Sequence, residues 1–207
     1  MPRAALTPEA ISAFREELCA VATRRFAESG HAGVTLRGLA RELGVSPMTP
    51  YRYFRDKEEI FAAVRAAGFA RFTAGQEEAF ASSADPEERL RRLGHAYVAF
   101  ARGEPDAYRI MFEMSPPGDE PDPLLAKEQE RAWTPLLRAV GEAREAGLLR
   151  GDAMTVAHLF WAGLHGLVSL QLSGALHHGA TLDSLVEPML DTLFTGAHPR
   201  AAKEESR

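Results

Sequence analysis

Only one cysteine, Cys19, occurs in the 207 residues. That excludes an internal disulfide framework and fits a reducing compartment. Cys19 sits beside an apolar helical stripe and reads as a small hydrophobe rather than a reactive thiol. No apolar run approaches the roughly 20 residues needed to span a bilayer. The opening MPRAALTPEA lacks the apolar core of a signal peptide. A soluble cytoplasmic protein with no membrane partner is therefore expected. Sustained period-2 alternation is missing, so no sheet is expected. There is no nucleophile–base pair, Gly-rich phosphate loop or set of paired buried carboxylates, so no catalytic residue and no cofactor is assigned. His158 and His165 share a helical face, with His177 and His178 further on. No carboxylate or cysteine stands at ligand spacing with them, which argues against a metal site.

What is present is an ordinary globular composition, 45% apolar, with a net charge of −5. The charge is unevenly spread. Residues 1–57 hold 9 Lys+Arg against 6 Asp+Glu, while the other 150 hold 15 against 23. A basic head on an acidic body suits a protein that presents one end to a polyanion.

Apolar residues at helical spacing recur along the chain and predict an all-α fold of about nine helices. Thr7-Pro8 starts the first, which carries Ile11, Phe14, Leu18, Val21 and Phe26 on one face and stops at Gly30. Thr35 caps a second through Leu43, and Gly44 supplies the positive φ of a tight turn. Ser46 caps a third, with Pro47 at its first position, running to Phe54. Asp56 opens a fourth, with Glu59 completing a capping box, and it reaches Ala81. Asp85-Pro86 starts a helix ending at Gly103, and Pro105 a short one. SPPGDEPDP, residues 115–123, reads as a loop. A helix over 124–146 should be kinked by Pro135. Asp152 caps the most apolar helix, through Leu176, and the last runs from Leu182 to Phe194. The expected division is a helix-turn-helix domain at 1–55, a helical body at 56–196 and a disordered tail at 197–207.

The stretch Thr35–Lys57, TLRGLARELGVSPMTPYRYFRDK, has the inventory of a helix-turn-helix on double-stranded DNA. Thr35 and the amides that follow suit a phosphate. Ser46, Met48, Thr49 and Arg52 lie on the early, outward part of the third helix. There Arg52 suits guanine, and Thr49 offers a hydroxyl or a methyl contact to thymine. Tyr51, Tyr53 and Lys57 suit phosphate contacts that set register. Competing readings remain at this level. One of the two tyrosines serves equally as a core aromatic, and Arg37, Arg41 and Arg55 as solvated charges. A helix-turn-helix that only packs, inside an all-helical small-molecule-binding protein or enzyme, is the rival reading.

Residues 8 to about 60 resemble the DNA-binding domain of TetR-family transcriptional regulators. Val34-Thr35-Leu36, Leu39-Ala40, Leu43-Gly44-Val45-Ser46, Thr49, Tyr51, Tyr53-Phe54 and Lys57-Glu58 before Ile60 carry the resemblance. It implies phosphate contacts at Thr35, Tyr51, Tyr53 and Lys57, and base-facing positions at Pro47, Met48, Thr49 and Arg52. Arg37 joins the DNA-facing set. Pro50 departs from the leucine usual in that family. It should make the reading helix begin late or wind tightly, and push Thr49 off helical angles.

The body resembles one TetR subgroup named for a Trp-His-Gly pattern, through Trp161, His165 and Gly166 and through Tyr108-Arg109-Ile110-Met111-Phe112. The resemblance implies a small-molecule effector and a homodimer. The apolar helices near 156–172 and 182–194 independently expose more surface than a monomer should leave wet, with Gly163 and Gly166 allowing close approach. Tyr97, Phe100, Tyr108, Met111, Phe112, Trp133 and Trp161 are candidate cavity residues, with His165 as the polar group, although rings at helical spacing also make ordinary core. The expectation is a ligand-responsive repressor that binds a near-palindromic operator.

Overall fold

The computed structural model describes residues 7–114 and 122–197. Its helices are α1 Pro8–Gly33, α2 Leu36–Glu42, α3 Lys57–Ala81, α4 Pro86–Gly103, α5 Pro105–Phe112, α6 Pro123–Glu145, α7 Ala153–Leu172 and α8 Leu182–Ala197. A single 3-10 turn, Pro50–Arg52, stands between α2 and α3. The fold is all-α, with eight α-helices among the described residues where about nine were expected, because that turn replaces the third. The loop expected from residue 115 lies outside the described residues as far as 121. The tail expected at 197–207 lies outside them from 198 on, while Ala197 closes α8.

The helix starts follow from short polar side chains that take up otherwise unpartnered amides. Thr7 accepts from the Ala10 amide at 3.3 Å, Asp85 from Glu88 at 2.8 Å and Asp152 from Thr155 at 2.9 Å. Asp122 does the same for Leu125 at 2.9 Å. At α3, Asp56 accepts from the Glu59 amide at 2.8 Å, and Glu59 answers one residue early, on the Arg55 amide at 2.7 Å. The Arg55 guanidinium and the Glu59 amide hold the Asp56 carboxyl below its ordinary range.

Three boundaries differ from the sequence expectation. α1 breaks at Gly30, φ +67, but regains one turn as far as Gly33. α7 stops at Leu172 rather than Leu176, because the amides of Ala175 and Leu176 both turn back to the Leu170 carbonyl, at 2.9 and 3.1 Å. α8 runs past Phe194 as far as Ala197. A fourth correction concerns α7 as a whole. By length and composition its 20 residues are enough to cross a bilayer, contrary to the expectation that no such run exists. The polar side chains of His158, His165 and Ser169 interrupt it without lowering its average below that of a spanning segment. In the protein it packs against α4 and α8.

The helices gather into two compact units, and the chain passes between them three times. The first comprises residues up to Arg71 together with 104–129, and the second comprises 72–103 and 130 onward. This spatial grouping is not the linear division at residue 55, since α3 and α6 each contribute to both units. In the first unit, Leu18, Phe26, Leu39, Phe54, Ile60 and Phe61 are enclosed around α1–α3. Ile110 of α5 completes the same core, itself 0% exposed. In the second unit, Gly94 lets α4 approach closely. A Cβ there would stand 3.1 Å from Leu190 and 3.2 Å from Leu164.

Candidate nucleic-acid interface

The turn that ends α2 is built on Gly44, φ +66, a conformation that other residues adopt only at a cost. The Gly44 amide bonds to the Arg41 carbonyl at 3.2 Å, and the Val45 amide to Ala40 at 3.0 Å. Thr35 caps the other end of α2, accepting from Gly38 at 3.1 Å.

The helix expected from Ser46 to Phe54 does not form. Pro50 has no amide hydrogen to give the Ser46 carbonyl, so the Thr49 amide takes it instead, at 2.8 Å. The tighter pattern then continues, with Arg52 bonding to Thr49 at 3.1 Å and Tyr53 to Pro50 at 2.9 Å. Thr49 itself keeps helical angles, φ −63 and ψ −48, contrary to the expectation that Pro50 would expel it from them. The chain meets the proline by tightening to three-residue bonding while keeping the backbone angle, and one α-type bond, from the Phe54 amide to the Pro50 carbonyl at 3.0 Å, closes the turn.

Around this turn the candidate side chains divide by environment. Ser46, Pro47, Met48, Tyr51 and Arg52 are exposed, Met48 at 66% and Tyr51 at 46%, while Thr49 is half-buried. Thr35 and Arg37 are exposed on α2, which packs against the turn. Tyr53 is half-buried, its ring 4.4 Å from that of Phe14 on α1. Lys57 is also half-buried and donates from Nζ to the His31 carbonyl at 2.9 Å. Charge is arranged selectively. Arg24, Arg25 and Arg55 are engaged by Glu42, Glu28 and Asp56. Arg37, Arg41 and Arg52 form no ion pair among the described residues, which leaves three cations on α2 and the turn available to an anion. Arg41 stands outside the sequence-derived candidate set because charge alone does not mark it. Its position without an ion-pair partner does.

Cys19 packs beside the core of this unit, and burial pushes its thiol up to about 11. A thiolate at neutral pH is correspondingly scarce.

The eight candidate ligand residues fall in both units. Tyr108, Met111 and Phe112 belong to the first. There Tyr108 is fully buried 4.9 Å from Phe112, and Met111 packs on Gly68. Tyr97, Phe100, Trp133, Trp161 and His165 belong to the second. Trp133 and Trp161 meet edge to face at 6.0 Å, Trp161 lies 5.6 Å from His165, and His165 Nδ1 is 3.1 Å from the Tyr97 hydroxyl. His158, to which the sequence offers no role once a metal site is set aside, joins this cluster 4.6 Å from Trp133. Its spacing of three from Trp161 and seven from His165 is the available signal. Phe72 lies 5.6 Å from Tyr97 and 5.3 Å from Phe100. No group of three metal-ligating side chains occurs among the described residues.

A separate cavity of about 420 Å³ opens between the start of α7 and the end of α8, lined by Val156, Leu159, Phe160, Thr192 and Leu193 among others. None of the eight candidates lines it. Gly163 faces α8 of its own chain, where a Cβ would stand 3.0 Å from the Met189 sulfur. A Cβ on Gly166 would have nothing within 4 Å.

Comparison with known proteins supplies the family. Residues 18–64 match the model described as bacterial regulatory proteins, tetR family, and residues 90–193 match the tetracyclin repressor-like C-terminal domain. The chain is 27% identical over 99 residues to the HTH-type transcriptional activator FasR of Mycolicibacterium smegmatis, covering 48% of this chain. That match spans only 45% of FasR. It is 26% identical over 186 residues to the uncharacterized HTH-type transcriptional regulator Rv0681 of Mycobacterium tuberculosis, covering 90% of this chain and 82% of that one. A Rhodococcus sp. RHA1 protein of unknown function superposes with a TM-score of 0.78 at 29% identity, covering 96% of this chain and 100% of that one. The regulator FadR of Bacillus subtilis, solved in complex with stearoyl-CoA, superposes at 0.76 with 18% identity, over 88% and 99%.

Proposed function

The chain belongs to the tetR family of bacterial regulatory proteins and is a helix-turn-helix transcriptional regulator, from which we propose that it is an effector-responsive repressor working as a homodimer on a near-palindromic operator. The observation that carries the DNA part is the set of cations without ion pairs, Arg37, Arg41 and Arg52, beside the exposed Met48 and Tyr51. Arg52 reads a base edge, Met48 and Thr49 meet base methyls, and Thr35, Tyr51, Tyr53 and Lys57 set register on phosphates. Two such heads of a dimer reach successive major grooves when about 34 Å apart. The test is selection of bound fragments from genomic double-stranded DNA, followed by titration over a range of salt. Enrichment of a near-palindrome with salt-sensitive affinity is expected. Binding indifferent to sequence would defeat the reading.

The dimer proposal rests on α7 and α8. Leu159 and Leu170 are exposed at 55% and 44%, with Ala162 and the open Gly166 between them on α7. On α8 the acids are exposed but paired with α4. Arg91 holds Glu187 at 2.9 Å and Asp191 at 2.8 Å, and Arg102 holds Asp183. Beside these ion pairs α8 exposes small or weakly polar residues, Pro188, Thr192 and Thr195. A second copy covering both helices would remove that surface from water. Leu159→Glu is expected to shift the protein from dimer to monomer at micromolar concentration by sedimentation. A wild-type monomer would overturn this.

For the effector we take the second unit's cluster of Tyr97, Phe100, Trp133, Trp161 and His165, with Tyr108, Met111 and Phe112 as core of the first unit. The Trp-His-Gly likeness of Trp161, His165 and Gly166 points to the same place. FadR's ligand, an apolar chain with a polar head, is the first probe. Stearoyl-CoA is expected to weaken operator binding roughly 5- to 150-fold. Activation is the second reading, favoured by the match to FasR, and a reporter driven by the selected operator separates the two by the sign of its response.

A further inference from the structure

We propose that Arg15, on α1, is the residue that aims the reading turn, and so acts as a positioning residue for base recognition. The proposal rests on the DNA-binding reading above. A full recognition helix is held straight by its own ladder, but this one is reduced to Pro50–Arg52 with no side-chain cap at Thr49. Its last carbonyls have no following helical amides to meet, because α3 starts afresh at Lys57. The orientation of such a turn must come from outside it.

Arg15 supplies three constraints from one planar group. Its Nη1 donates to the Tyr53 carbonyl, at the end of the turn. Its Cζ lies 3.9 Å from the centre of the Phe54 ring, which is itself 2% exposed. Its Nη2 stands 3.8 Å from Glu59 Oε1, while Glu59 Oε2 takes the Arg55 amide at 2.7 Å. Phe14, the neighbouring α1 residue, adds the ring contact to Tyr53 at 4.4 Å. Every residue from Tyr53 to Arg55 is thus tied, directly or through Glu59, to one guanidinium. Lysine keeps the charge but neither the fork nor the flat face, so it cannot make the set.

Residue-resolved amide exchange on the free full-length protein tests whether Arg15 holds the turn. In Arg15→Lys and Arg15→Ala, the amides of Arg52, Tyr53 and Phe54 should exchange at least about tenfold faster, with those of Leu39 and Leu43 unchanged. The selected operator and a scrambled duplex of equal length then test aim. Discrimination between them should fall about tenfold in both variants, with the dependence of affinity on salt unaltered. Unchanged exchange at residues 52–54 would overturn the proposal. So would a salt slope reduced by about 0.9 with discrimination intact, which is the signature of a phosphate ligand. A wild-type protein that does not discriminate would instead defeat the DNA reading, and the exchange result would still decide what holds the turn.

Discussion

Replacing Arg52 with alanine will weaken binding to the selected half-site by about 1–3 kcal/mol, roughly 5- to 150-fold, and relax the preference at one base pair. The reason is the shortness of the reading element. A longer helix spreads its contacts over several turns, so the loss of one is diluted. Here the turn ends at Arg52, and that guanidinium is the only cation on it. It is also exposed and forms no ion pair among the described residues, so no internal salt bridge has to be given up when it meets guanine. Arg41→Ala provides the contrast. A cation that meets only phosphate should lower affinity for every duplex alike and reduce the salt slope by about one. Competition assays with single-base operator variants separate the two patterns. An Arg52→Ala protein that keeps full discrimination would remove Arg52 from the base-reading set.

Phe61→Ala will cost about 3–5 kcal/mol of stability in the first unit and abolish DNA binding at physiological temperature. Phe61 is 0% exposed and meets Phe26 edge-on at 4.9 Å and His31 at 4.9 Å. Removing the ring leaves a cavity among side chains from α1 and α3, which the surrounding helices cannot close by sliding. Typical small domains have only about 5–15 kcal/mol in hand, so the loss is a large fraction. Urea unfolding followed by circular dichroism measures it, and a cost under about 1 kcal/mol would show that the core of this unit is far looser than its geometry. Tyr51→Ala is the matched control, because Tyr51 is exposed at 46% and its truncation should leave stability nearly unchanged.

These two residues also mark where the sequence was readable and where it was not. The helix starts were legible because each is a local event: Thr7, Thr35, Asp85 and Asp152 each bond an amide within three residues of themselves. The core of α1–α3 was legible because a 3.6-residue period selects one face. The element between α2 and α3 was legible as a location and in its tight, late start at Pro50, but not in the loss of the helix from Ser46. Its form depends on which amide takes the Ser46 carbonyl once Pro50 cannot, and a choice between two donors is not a matter of periodicity. The sorting of the two tyrosines needed tertiary structure. Phe14 and Arg15, distant in sequence on α1, hold Tyr53 against the core, while Tyr51 stays exposed. Likewise, nothing local announces that α5 would join the first unit, or that the aromatic candidates would divide between the two.

That placement of α5 sets the order in which a growing chain can become competent. The first 81 residues contain the whole reading element, yet the core beneath it lacks Ile110 until α5 has been made. At the usual pace of about 5–20 residues per second, the ribosome exposes a sequence that has every DNA-facing side chain but an unfinished interior. A chain cut before Pro105 keeps Thr35–Lys57 but lacks Ile110, so its first unit is expected to unfold more readily than that of the full chain.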